Sequence, residues 1–282
     1  MDIILVHMGG DVPDYYWECV RQIRKFTKDR IIAVVPDDAI FNHLMTDNVM
    51  MVKCLPKTRN WRRFIGCDFF GSSQDLWQYS CERFYAIESA MKQLDIKKAL
   101  HIENDNLIYA DPSAVGFEDR YGNGIALTPI NENLLSAGIM YIGSQEAIES
   151  QNNRMNHVIM LGRQELVKQY GDEMLNEMRL LKILNTIHEG SISALPIFPG
   201  ADFAFDCASW GQWVGGAHHH GEEPFATKNH FIGREILNGK YDVEWAVESG
   251  LRIPYAVSVK TGVKSRLFNL HIHNKTLRKW RS

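Results

Sequence analysis

The chain has 282 residues with a formal net charge of −3, 45% hydrophobic and 23% charged, the balance of an ordinary soluble protein with a buried core. So small a charge gives no global electrostatic case for nucleic acid, and the basic run at residues 57–63 (KTRNWRR) is too short to change that. The five cysteines are odd in number and show no CxxC spacing, which argues against a zinc ribbon or a disulfide framework and for a reducing, cytoplasmic setting; no signal peptide and no membrane span are expected.

Residues 3–7 (IILVH) form a short apolar run, the mark of a buried strand. Residues 14–26 follow as a helix with Trp17, Val20, Ile23 and Phe26 on one face. Residues 30–35 (RIIAVV) are a second buried strand and residues 48–53 a weaker third. This alternation predicts an α/β fold with a mixed, mostly parallel sheet flanked by helices. Residues 57–73 have no period and are expected as loop. Residues 74–94 carry Trp77, Phe84, Ile87, Met91 and Leu94 on a single helical stripe. Residues 98–102 (KALHI) are the next buried strand, which runs into Glu103-Asn104-Asp105-Asn106 before the chain extends again at 107–109. Residues 124–128 and 135–142 are two further strands, 144–189 is mostly helical, and 193–196 is short and strand-like. Residues 199–233 form a long irregular stretch rich in Gly, His, Asp and aromatic residues, and such stretches tend to be functional. Late strands are expected at 243–247, 252–259 and 268–273, ahead of a basic tail. No repeat or linker divides the chain, so residues 1–282 are expected to form one domain with a small C-terminal elaboration.

Glu103 and Asp105 are two apart, so in an extended segment both side chains point the same way. They follow an apolar strand and should emerge at its C-terminal edge, where open α/β sheets bind ligands. Two hard carboxylate oxygens there suit Mg²⁺ or Mn²⁺ bridging a diphosphate. The bland alternative is a solvated turn in which Asn104 and Asn106 supply the turn chemistry.

An apolar strand, two acidic residues one apart, then apolar residues resembles the DxD motif of GT-A-fold glycosyltransferases, with Glu103 replacing the first Asp. About thirty residues on, LSAGIMYIGS at 135–144 resembles the strand that follows this motif in the glycogenin-like and bacterial α-galactosyltransferase families, with Ser136 where those families often carry Asn. LHIHNK at 270–275 resembles their late metal-ligating His followed by a diphosphate-binding Lys. The three motifs occur in order and span residues 100–275. Small bacterial and viral glycosyltransferases are similar to the chain in this respect.

The resemblance implies a Rossmann-like GT-A fold and a metal-dependent transfer of a sugar from a UDP- or GDP-sugar to a hydroxyl of a glycan or other acceptor. Mn²⁺ (or Mg²⁺) would be held by Glu103, Asp105 and one of His271 or His273, which alternate onto one side of a strand. Two pairings are open, His271 with Lys275 and His273 with Lys279. Asn104 and Ser136 would contact the donor, as would Arg83, whose planar fork suits phosphate. The turn after the first strand, with His7, Gly9 and Gly10, and the acidic end of the second, Asp37 and Asp38, would lie against the nucleoside. Without a GxGxxG fingerprint, NAD is disfavoured. Asp206 is the first candidate for a catalytic carboxylate and Asp202 the second, with Trp210 and Trp213 as sugar-stacking candidates. The triplet at 218–220 (HHH) is read as part of a flexible lid or acceptor loop, since three consecutive His rarely reach one metal. The competing readings are a nucleotidyltransferase, which would want a basic loop after the first strand, a non-catalytic carbohydrate-binding protein and a metal-dependent hydrolase.

Overall fold

The computed structural model describes residues 1–8, 11–35, 49–53, 74–171, 175–216 and 228–282. The expected loop at 57–73, the His triplet at 218–220, and the nucleoside candidates Gly9, Gly10, Asp37 and Asp38 lie outside the described residues.

The chain opens with β1 (Asp2–Val6), α1 (Asp14–Phe26), β2 (Ile31–Val35), β3 (Val49–Lys53), α2 (Gln74–Gln93) and β4 (Ala99–Ile102). β1, β2 and β4 are buried along their length because both faces of their sheet are covered there, as parallel strands require, while β3 at the sheet edge leaves Met50 and Met51 exposed. Period-two alternation then divides their side chains. Ile3 and Leu5 of β1 enter one core with Ile31, Ala33, Leu100 and Ile102, and with Tyr16, Cys19, Val20 and Ile23 of α1. Ile4 and Val6 enter the opposite core with Phe84, Ile87 and Met91 of α2. The buried face of α1 is thus rotated from the expected one: Tyr16 and Cys19 are fully buried, while Trp17 and Phe26 only flank the core.

After β4 come β5 (Asn106–Ile108), a 3₁₀ turn at Pro112–Val115, α3 (Phe117–Tyr121), β6 (Ile125–Asn131) and β7 (Leu134–Ile142). The expected helical region resolves into α4 (Gln145–Met160), α5 (Arg163–Tyr170) and α6 (Glu177–Ile187), followed by β8 (Ile192–Ala194). The main sheet has seven strands in the order β3-β2-β1-β4-β7-β6-β8, and β7 alone runs against the rest. The α/β class expected from the sequence, a mostly parallel mixed sheet flanked by helices, is the one observed. From β1 the chain winds outward through β2 and β3, then returns to β4 on the other side of β1. That reversal opens a crevice at the C-terminal ends of β1 and β4.

The long stretch expected to be irregular contains β9 (Phe203–Ala204), α7 (Ser209–Gly215) and α8 (Phe231–Leu237). It is followed by β10 (Tyr241–Glu248), β11 (Leu251–Ser258), β12 (Lys264–Leu267), β13 (Asn269–His271) and α9 (Leu277–Trp280). β10, β11, β12 and β9 make a second sheet, while β13 pairs antiparallel with β5. β12 was not expected, because Lys264 and Arg266 interrupt its apolar pattern. Its buried positions, Ser265 and Leu267, alternate all the same.

Candidate active site

β4 ends at Ile102, and a tight turn takes its place, with the Asn106 N–H donating to the Glu103 carbonyl at 3.0 Å. Glu103 and Asp105 therefore converge through a turn and not through the strand alternation expected from their spacing. The turn is clamped from two sides. On one, β7 bulges away from β6 between Ser136 and Met140, and the Gly138 carbonyl accepts the Glu103 N–H at 2.9 Å. On the other, β13 sets His271 directly opposite Asn106 in register.

His271 Nε2 lies 3.5 Å from Glu103 Oε2 and 3.1 Å from Asp105 Oδ1. The second oxygen of each carboxylate is taken by a cation: Arg83 donates to Glu103 Oε1, and Lys275 to Asp105 Oδ2. Arg83 also reaches Glu177 Oε1 at 2.5 Å. Burial alone would lift all three carboxyls. Arg83 and His271 outweigh it at Glu103, and His271 and Lys275 outweigh it at Asp105, so the first is held below and the second well below the ordinary range. At Glu177 burial prevails over Arg83 and pushes the carboxyl up to about 7. Burial would lower His271 and Lys275, but Asp105 outweighs it and raises both. The two carboxylates held ionised, Glu103 and Asp105, each keep one oxygen on the side of His271, away from their cation.

The residues fit a divalent ion. One donor atom each from Glu103, Asp105 and His271 can be chosen so that all lie within 4.8 Å of one another. Neighbouring ligands of a six-coordinate ion bonded at about 2.1 Å sit roughly 3 Å apart, close to the separations found. Two carboxylate oxygens with one imidazole are a donor set open to several divalent ions. The space beside them depends on glycine. A Cβ at Gly138 would lie 3.2 Å from both Glu103 Oε2 and His271 Nδ1, and 3.3 Å from Asn106 Nδ2. His271 Nδ1 and Asn106 Nδ2 are buried there without hydrogen-bond partners.

These groups line a cleft of about 460 Å³ at the mouth of the crevice. Of the candidates read from the sequence, Glu103, Asn104, Asp105, Arg83, Ser136, His271, His273 and Lys275 all line it. His273 stands with its ring centroid 4.5 Å from that of His271 and its Nδ1 3.4 Å from Gln212 Nε2. Ser136 Oγ accepts the Gly138 N–H at 3.1 Å and so braces the bulge. His7 sits one residue past the cleft-lining Val6, its ring edge-on to Tyr16.

Other candidates fall elsewhere. Lys279 lies over the Trp280 ring at 4.9 Å, outside the cleft, so of the two His–Lys pairings only His271 with Lys275 is brought to the acidic turn. Asp202 is 83% exposed and faces Arg120 at 3.6 Å. Asp206, the first candidate for a catalytic carboxylate, is fully buried. Its carboxylate accepts the N–H groups of Trp210 at 2.9 Å, Gly211 at 2.7 Å and His271 at 2.8 Å. Through these contacts its carboxylate ties α7 to β13. Trp210 is fully buried and cannot stack on a sugar, whereas Trp213 is partly exposed and donates to Asp242 at 3.1 Å.

Sequence reasoning missed Glu177, Tyr15, Gln212 and His230, which also line the cleft. Glu177 has a faint signal, since it follows the helix cap Asn176 and reads as an ordinary first-turn acid. Only its contact with Arg83, 94 residues away in sequence, marks it as part of the site.

No known protein-family pattern matches the chain, and no curated protein matches it. Among solved structures it is similar to the galactosyltransferase LgtC in complex with donor and acceptor sugar analogs, at 14% identity and a TM-score of 0.44, over 73% of this chain and 76% of that one. Mouse xyloside xylosyltransferase 1 in its apo form is similar at 12% identity and a TM-score of 0.48, over 74% and 89%. The glycosyltransferase GlyE of Streptococcus pneumoniae is similar at 15% identity and a TM-score of 0.42, over 69% and 44%.

Proposed function

We propose that the chain, as one GT-A-type domain from residue 1 to 282, is a metal-dependent glycosyltransferase that moves a sugar from a UDP- or GDP-sugar to a hydroxyl of a glycan or other acceptor. The observation that carries this reading is the meeting of Glu103, Asp105 and His271 at the C-terminal edge of β4, with the outer carboxylate oxygens already held by Arg83 and Lys275. Glu103, Asp105 and His271 would hold Mn²⁺ or Mg²⁺, and when bound the ion supplies Lewis-acid neutralisation of a diphosphate leaving group.

The chain's own residues do the rest. Lys275 gives one N–H to Asp105 and retains others for phosphate oxygens, and the buried Nε–H of Arg83 has no partner. Both cations are fixed before substrate arrives, so their charge acts without reorganisation as negative charge develops on the leaving group. Val6, Ile130, Leu134 and Met178 give the cleft apolar walls that keep the reacting groups from bulk water. No described helix is long and apolar enough to cross a membrane. The three described cysteines, Cys19, Cys81 and Cys207, are free and buried, which supports a cytoplasmic setting.

Thermal unfolding with Mn²⁺ and with UDP or GDP tests the reading. Nucleotide should stabilise the protein only when Mn²⁺ is present, by about 2.7 kcal/mol at a hundred times its Kd. Absence of any nucleotide response, with or without metal, would overturn the proposal.

A further inference from the structure

Cys207 and Ala208 line the cleft without contributing to its metal-facing group, and Ser209 lies buried just behind them. Ala208 has φ 85°, a left-handed conformation that strains a residue carrying a Cβ. The turn is held from both ends. Asp206, just before it, binds the backbone of Trp210, Gly211 and His271, and the Asn269 side chain accepts the Asp206 N–H at 3.0 Å. Strain this well supported at the wall of a cleft points to a function for what the turn presents.

It presents Ser209. The Ser209 hydroxyl is fully buried, lies 3.5 Å from Cys207 Sγ, and meets His230 Nδ1 at 3.0 Å. His230 begins α8 and lines the same cleft as His271 and Lys275. With Nδ1 on Ser209, the opposite nitrogen, Nε2, is the one turned away from the turn. Burial lowers the imidazole to about 4, so the ring is neutral at ordinary pH and one nitrogen keeps a lone pair. Cys207 is no rival nucleophile, because burial pushes its thiol up to about 12.

We propose that His230 is a catalytic residue that accepts the proton of the acceptor hydroxyl, with Ser209 fixing its tautomer; this rests on the glycosyltransferase reading above. In the resting protein His230 Nδ1–H donates to Ser209 Oγ, which leaves the Nε2 lone pair for the acceptor. During transfer the acceptor O–H proton passes to Nε2 while the acceptor oxygen bonds to the anomeric carbon. The bond from that carbon to the diphosphate oxygen breaks, and its electron pair leaves with the diphosphate. The imidazolium then returns its proton to solvent. A positioned base contributes roughly 10²–10⁴-fold to rate, most when it titrates near the working pH, and burial places His230 at the lower end of that range.

Two measurements test the assignment. Nitrogen-15 NMR of the histidine rings, with His230→Gln to identify the resonance, should show Nε2 unprotonated in the resting protein, and Ser209→Ala should shift the tautomer balance. A protonated Nε2 overturns the proposal. Turnover is read as nucleoside diphosphate release from a panel of UDP- and GDP-sugars with Mn²⁺ and methyl hexosides as acceptors. His230→Gln, which can accept a hydrogen bond but take no proton, should lose at least about 100-fold in kcat, and Ser209→Ala a smaller part of that. Circular dichroism confirms that each variant is folded. Wild-type turnover with an equally active, folded His230→Gln overturns this assignment alone. A wild type that turns over none of the nucleotide sugars overturns the transferase reading and this assignment with it.

Discussion

Each carboxylate of the acidic turn is divided between a fixed cation and an open side. Glu103 gives Oε1 to Arg83 and Asp105 gives Oδ2 to Lys275, so the oxygens turned towards His271 cannot rotate away. Glu103→Gln or Asp105→Asn keeps the shape but removes a charge that a hard cation needs. Either should weaken Mn²⁺ binding, read by titration calorimetry, by more than the roughly 10–100-fold that losing an outer partner costs. Arg83→Lys replaces a fork that spans two carboxylates with a single point charge, and its loss should fall within that range. Unchanged Mn²⁺ affinity in Glu103→Gln would remove this residue from the ion site. Asp206 invites a different experiment. Asp206→Asn turns an amide N–H₂ towards backbone N–H groups that now donate to a carboxylate. With about 1–3 kcal/mol for each stranded donor, urea unfolding should show a loss of at least about 1 kcal/mol.

At the scale of elements, the site is a junction where α7, β13, β5 and the β7 bulge meet, and two glycines make the junction possible. A Cβ at Gly211 would lie 2.1 Å from the His271 carbonyl oxygen and 2.8 Å from Asp206 Oδ2, so Gly211→Ala must push α7 off β13. It should lower the melting temperature and weaken Mn²⁺ binding together, because the displaced strand carries His271. Gly138→Ala meets movable side-chain atoms at 3.2 Å, not backbone. It should leave the melting temperature nearly intact while weakening Mn²⁺ binding, and equal losses in both variants would contradict this division. The strands and long helices were legible in the sequence because burial on one or two faces imposes a period, as in β1, β2, α2 and β4. The acidic turn and the late histidines were legible as motifs. The junction was not, since Asp206, Glu177 and His230 gain their roles from partners 65, 94 and 21 residues away that no local pattern encodes. Asp206 shows the same limit from the other side: its sequence setting gave no sign of the three backbone N–H groups that its carboxylate accepts.

Over the whole molecule, the buried ionisable groups pull stability in opposite directions with pH. His101 is fully buried in β4, its Nδ1 donates to the Ile4 carbonyl at 2.9 Å, and its Nε2 is buried without a partner. Burial, with Arg83 adding to it, lowers the ring to about 3. The unfolded chain takes up that proton near pH 6.5 and the fold does not. His101 therefore costs no stability above about pH 6.5, and stability then falls by about 1.4 kcal/mol per unit as pH drops towards the folded value. Glu177 acts the other way. Its folded value of about 7 lies above the unfolded one, so the fold holds the extra proton and gains stability as pH falls from 7 towards 4.5. The raw pH curve mixes the two, but the difference between wild type and a variant separates them. His101→Gln keeps an N–H for Ile4 and cannot titrate. In urea unfolding, wild type should lose about 2 kcal/mol relative to His101→Gln between pH 7.5 and 5. A gap of the same size at both pH values would mean that the folded and unfolded His101 take up protons alike, and that its burial in β4 does not keep the ring neutral.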